Sequence, residues 1–204
     1  MAKTHGCAPR WTHGFLLALA VWTAGMAGGY AVVQAASELP SDLPTPVVAE
    51  DARTGHAPGM PEPEAAPGSD AGLVAFIFRR NLSVYIWILA GLLSAGAVTF
   101  VVLLANGIML GHTIGLAHAT GVAPAMLSTL LLPHGVLEVG TFCIAGAVGF
   151  QGFRIASDWG RNGWSAVRSL RLGLVLAYGA VALAVAAVLE TFVTGALADA
   201  MGLR

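Results

Sequence analysis

Charge is what this sequence has least of. Lys and Arg number 10 and Asp and Glu 11 among 204 residues, so only 10% of the chain is charged. Soluble domains carry about a quarter, and a surface this poor in charge cannot be coated for water. Lysine occurs once, at Lys3, and the formal net charge of −1 leaves no basic surface for phosphate backbones. Nucleic acid is therefore excluded as a partner. Cysteine occurs twice, at Cys7 and Cys143, too few and too far apart for a disulfide framework or a zinc site. HExxH pairs and nucleotide-binding glycine loops are missing, and Ser94 in Gly91-Leu92-Leu93-Ser94-Ala95-Gly96 does not form a GxSxG elbow. No enzymatic activity, cofactor or metal is expected.

What fills the chain instead is apolar: 56% of residues are hydrophobic. Phe15–Val33 is long enough to span, since about 20 helical residues cross the hydrocarbon core. A basic start and the small residues Val33–Ser37 also fit a cleavable signal peptide. The apolar run exceeds the ~7–15 residues of a signal core, so a retained transmembrane helix is expected over 1–36. Residues 37–70 hold seven of the ten prolines and seven acids against the single base Arg53. Such a segment lacks the apolar content to fold and reads as an extracytoplasmic linker.

The remainder, 71–204, reads as a membrane domain with four further spans. Ala71–Phe78 is too short to cross and is followed by Arg79-Arg80-Asn81, which predicts an interfacial helix with snorkelling arginines. Val84–Leu104 follows as a span, with a turn expected at Asn106-Gly107. Gly107–Leu132 contains Pro124 and stops at Pro133; it fits either one kinked helix or a helix with a re-entrant piece. His134–Phe150 and Leu172–Phe192 complete an all-α bundle of about five spans, with a broken helix near Pro124–Pro133. Arg154, Arg161, Arg168 and Arg171 fall in one loop, and positive loops stay cytoplasmic. Five spans with the N-terminus inside satisfy that rule, and the expected location is a bacterial inner membrane.

Close helix pairing in lipid relies on small residues. Gly107, Gly111, Gly115 and Ala119 recur every fourth position, and Ala182 and Ala186 lead to Glu190 in the same way. Ionisable residues inside spans are costly and need a reason. His112, His118, His134, Glu138 and Glu190 are such residues, and His134 and Glu138 are four apart, hence on one helical face. With Pro133 read as a helix start, the dipole would favour a charged Glu138 beside a neutral His134. The two then form a polar site for a proton, ion or ligand, or else lock the Pro133 corner by hydrogen bonds. His118 reads as an interhelical hydrogen bonder.

Phe78-Arg79-Arg80-Asn81, Asn106-Gly107 to Gly111, Leu131-Leu132-Pro133-His134-Gly135 to Glu138, and Ile144-Ala145-Gly146 together resemble the stage II sporulation protein M family. The resemblance runs from about residue 71 to the last span and includes Glu190. It implies an integral membrane protein in which Asn106, Pro133, His134, Gly135 and Glu138 matter. It also implies the company of other proteins, because the family's namesake joins peptidoglycan-degrading enzymes in engulfment. Three roles follow in order: a scaffold subunit of an envelope complex, a permease or channel subunit using His134 and Glu138, and an intramembrane enzyme. The expected partners are the bilayer and other envelope or membrane proteins, with self-association left open.

Overall fold

A computed structural model describes residues 11–38, 69–157 and 167–201. Most of the proline-rich linker and residues 158–166 of the arginine-bearing loop lie outside these. Among the described residues every regular element is helical, and five helical stretches are long and apolar enough to cross a membrane. The fold class expected from the sequence is the one observed.

Helix α1 runs Trp11–Ser37. Helix α2 runs Asp70–Ala90 and tightens into a 3-10 turn at Gly91–Leu93. Ser69 caps α2, its hydroxyl accepting from the Gly72 amide. The chain reverses at Ser94–Gly96, where Ala95 and Gly96 both take positive φ, at 51° and 88°. Gly96 tolerates that geometry because it has no Cβ. The Gly96 amide closes the turn on the Gly91 carbonyl at 2.7 Å. Helix α3 follows at Ala97–Ala119 and α4 at Pro124–Gly149, extended by the short α5, Gln151–Ser157. Helix α6, Leu172–Val188, passes into a π-helical turn, Leu189–Thr194, and ends in α7, Gly195–Ala200.

Several expected boundaries move. Residues 71–78 are the first part of a full span, Asp70–Leu93, and not an interfacial helix. The reversal expected at Asn106-Gly107 falls ten residues earlier, and that pair lies inside α3. The break near Pro124–Pro133 falls on 120–123, with Pro124 in the first turn of α4 and Pro133 inside the helix. A proline at the start costs nothing because its missing donor would be unpaired there. Pro133 leaves α4 continuous, so His134 is not at a helix start and the dipole reasoning does not apply to it.

Packing centres on α1 and α3, which run in the same direction with their backbones nearly touching. A Cβ on Gly111 would collide with the Met26 carbonyl, and one on Gly107 with that of Trp22. From the other side, a Cβ on Gly25 would strike the Leu104 carbonyl and one on Gly29 that of Ile108. Two small-residue ridges therefore interlock, the arrangement by which helices associate tightly in lipid. The ridge on α3 was legible in the sequence; its counterpart on α1 was not singled out. Gly146 on α4 packs against Ala18 and Leu103. Gly135 has open space where a Cβ would stand, so close packing does not account for it. His118 meets α1 as expected, its Nδ1 lying 2.6 Å from the Tyr30 hydroxyl with the two rings stacked.

Two hydroxyls fasten α2. Thr99 donates to the Ile88 carbonyl at 2.7 Å across the α2–α3 turn. Tyr85, fully buried, donates to the Val175 carbonyl of α6 at 2.7 Å. Gly179 leaves room for the Tyr85 ring, which a Cβ there would strike.

Two outcomes are expected. Gly111→Val should cost at least about 1–3 kcal/mol, the usual range for overpacking, because the obstacle is backbone; Gly135→Ala should be tolerated. Thermal unfolding in mild detergent distinguishes them. Because α1 fills the groove of α3, the mature membrane protein should retain residues 11–37, as intact-mass measurement would show.

Candidate functional site

Several polar residues inside the spans meet between α2, α4 and the last span. Glu138 is half-buried on α4 and accepts a hydrogen bond on Oε1 from the Asn81 side-chain amide of α2. The carboxylate lies within electrostatic reach of the Arg80 guanidinium and of the Glu190 carboxylate. Arg80 lies about 15 Å along α2 at 1.5 Å per residue, and it is exposed. In a low-dielectric surrounding an unbalanced charge is strongly disfavoured.

One turn from Glu138, His134 is buried at 8% exposure, and its Nδ1 lies 3.1 Å from the Thr194 hydroxyl. That hydroxyl also reaches the Leu130 carbonyl at 3.3 Å. The Thr194 hydroxyl thus links His134 of α4 to the last span.

Glu190 and Thr194 both lie in the π-helical turn Leu189–Thr194. Single π turns inside α-helices interrupt the regular ladder and often occur at functional sites. Here the turn carries the Glu190 and Thr194 positions opposite Glu138 and His134.

The geometry therefore brings together His134, Glu138 and Glu190 of the residues expected from sequence. Asn106 bonds within its own helix, its amide donating to the Val102 carbonyl at 3.3 Å. Pro133 lies beside the cluster; Gly107, Gly111 and Gly146 serve packing. Arg80, Asn81 and Thr194 were not foreseen as members. The signal available was the polar run Arg79-Arg80-Asn81 within an otherwise apolar stretch, which fits a buried site once the span is known to begin at Asp70. No group of three or more His, Cys, Asp or Glu suited to a metal occurs among the described residues.

Five helical stretches long and apolar enough to cross a membrane define an integral membrane protein. The model of the stage II sporulation protein M family matches residues 16–195. The chain belongs to that family, and the match begins within α1. An uncharacterized protein of Methanocaldococcus jannaschii is 35% identical over 75 residues, covering 37% of this chain and 42% of that protein. The matched stretch is thus well under half of that relative's length. No solved structure matches the chain.

If Arg80 balances the acidic pair, Arg80→Gln should lower the unfolding temperature, and adding Glu190→Gln should restore part of the loss. A double-mutant cycle by thermal unfolding in detergent reads this directly; strictly additive effects would separate Arg80 from the pair.

Proposed function

We propose that this chain is a non-enzymatic membrane subunit of an envelope-associated assembly, and that its working part is the Arg80–Asn81–Glu138–Glu190 cluster. The observation that carries the reading is Glu138 within electrostatic reach of both Glu190 and Arg80, with Glu190 on a π-helical turn. Such a pair holds a proton or a small cation and releases it when the opposing helices shift. His134 lies one turn along α4 from Glu138, where an imidazole can relay a proton. Transporters place binding groups on irregular helices at membrane depth for the same reason, since distorted backbone there adapts to the occupant.

The loop charges orient the chain with Arg154, Arg168 and Arg171 in the cytoplasm of a bacterial cell, which puts the linker outside. Family membership supports the assembly half of the reading, and a scaffold role alone remains the second reading on that ground. The two differ in what Glu138 must do. A scaffold needs only its hydrogen bond to Asn81, which glutamine keeps in part; a proton or cation site needs the charge.

The experiment is purification under mild detergent with any partners, then reconstitution into liposomes carrying a pH or cation gradient. Dissipation of the gradient that falls at least tenfold in both Glu138→Gln and Glu190→Gln, at unchanged protein level, is expected. A stoichiometric partner with no flux, or flux untouched by either substitution, would leave the scaffold reading.

A further inference from the structure

A second concavity lies apart from the carboxylate pair. It has a volume of about 680 Å³ and opens between α4 and α6 next to the start of α1. Its size is that of a small-molecule site. Trp11, Ser169 and Arg171 line one end; the rest is mostly apolar, with Ile144, Val175 and Tyr178 among its walls and the Thr141 and Tyr85 hydroxyls as polar exceptions. From Arg171 to Ala182 the groove follows eleven residues of helix, about 16 Å, enough for much of an acyl chain.

We propose that this groove holds one anionic phospholipid, with an acyl chain along α6 and the phosphate on Arg171. Access is from the bilayer, because Tyr178 and Leu174 on its rim are 73% and 50% exposed on a span. The headgroup's sign follows from charge. The segment 154–171 carries four arginines against one aspartate, and Arg168 stands one turn before Arg171. Basic recesses between spans on the cytoplasmic side recognise anionic headgroups. Trp11 at the mouth suits the same depth, since indole favours the membrane–water boundary.

Backbone geometry fixes Arg171 at the head of the groove. Arg171 is held at φ 48°, a left-handed conformation that a residue bearing a side chain seldom takes. Its carbonyl accepts from the Leu174 and Val175 amides at 2.8 and 3.2 Å, which fixes the residue at the first turn of α6. Strained positions of this kind cluster at ligand clamps.

Native mass spectrometry of the delipidated full-length protein tests the proposal, titrating phosphatidylglycerol against phosphatidylethanolamine with identical chains. Phosphatidylglycerol should bind at least fivefold more tightly. Arg171→Gln should abolish that preference while leaving weak binding of both lipids. Ala182→Phe, which fills the apolar part, should weaken both at least fivefold. Equal binding of the two lipids to the unaltered protein, or a preference that survives Arg171→Gln, would overturn it. So would a lipid-free dimer that Ala182→Phe dissociates, since a second copy would then be the occupant.

Discussion

The fold depends on how closely α1 and α3 approach. Lipid surrounds apolar side chains as readily as a neighbouring helix does, so burial of hydrophobic surface drives little association here. What remains is dispersion between atoms in contact, which falls off within an ångström of separation. Gly25 and Gly29 on one helix and Gly107 and Gly111 on the other remove the Cβ atoms that would hold the backbones apart. With that pair fixed, Ala18 and Leu103 together present the surface on which Gly146 of α4 packs. Helix α4 then carries Glu138 to Asn81 of α2.

The polar cluster depends on the same economy. Asn81, Glu138, His134 and Thr194 occupy three different spans, and each finds a partner on another. Without water, polar groups at membrane depth must be satisfied by protein. Most of the molecule meets that demand with helices and a few hydroxyls, such as Thr99 on Ile88 and Tyr85 on Val175. Glu190, within electrostatic reach of Glu138, lies on a π-helical turn where the regular ladder is interrupted.

Much of the architecture was legible in the sequence. Hydropathy gave the number of spans and the all-α class, and the four-residue spacing gave the small-residue ridge of α3. The errors share one cause: a local feature was given a meaning that only its neighbours could settle. Arg79-Arg80-Asn81 looked like the end of an interfacial helix because arginine is costly in lipid, but Glu138 lies close enough to compensate Arg80. Asn106-Gly107 looked like a turn because that dipeptide usually makes one, whereas inside α3 Gly107 is needed for contact with Trp22. Pro133 looked like a helix start, yet α4 runs through it.

What the sequence determined by itself is the solvent of this protein and the periodicity of its helices, since both are written in the composition and spacing of neighbouring residues. It also marked His134, Glu138 and Glu190 as residues needing a reason, because ionisable groups stand out in an apolar run. Tertiary structure alone decided which of them meet. Residues 81, 138 and 190 are far apart along the chain, and no local rule pairs them. Nor does any local pattern call for the π-helical turn at Leu189–Thr194, which exists in a span whose opposite face is set by Tyr85 and by the partners across α4.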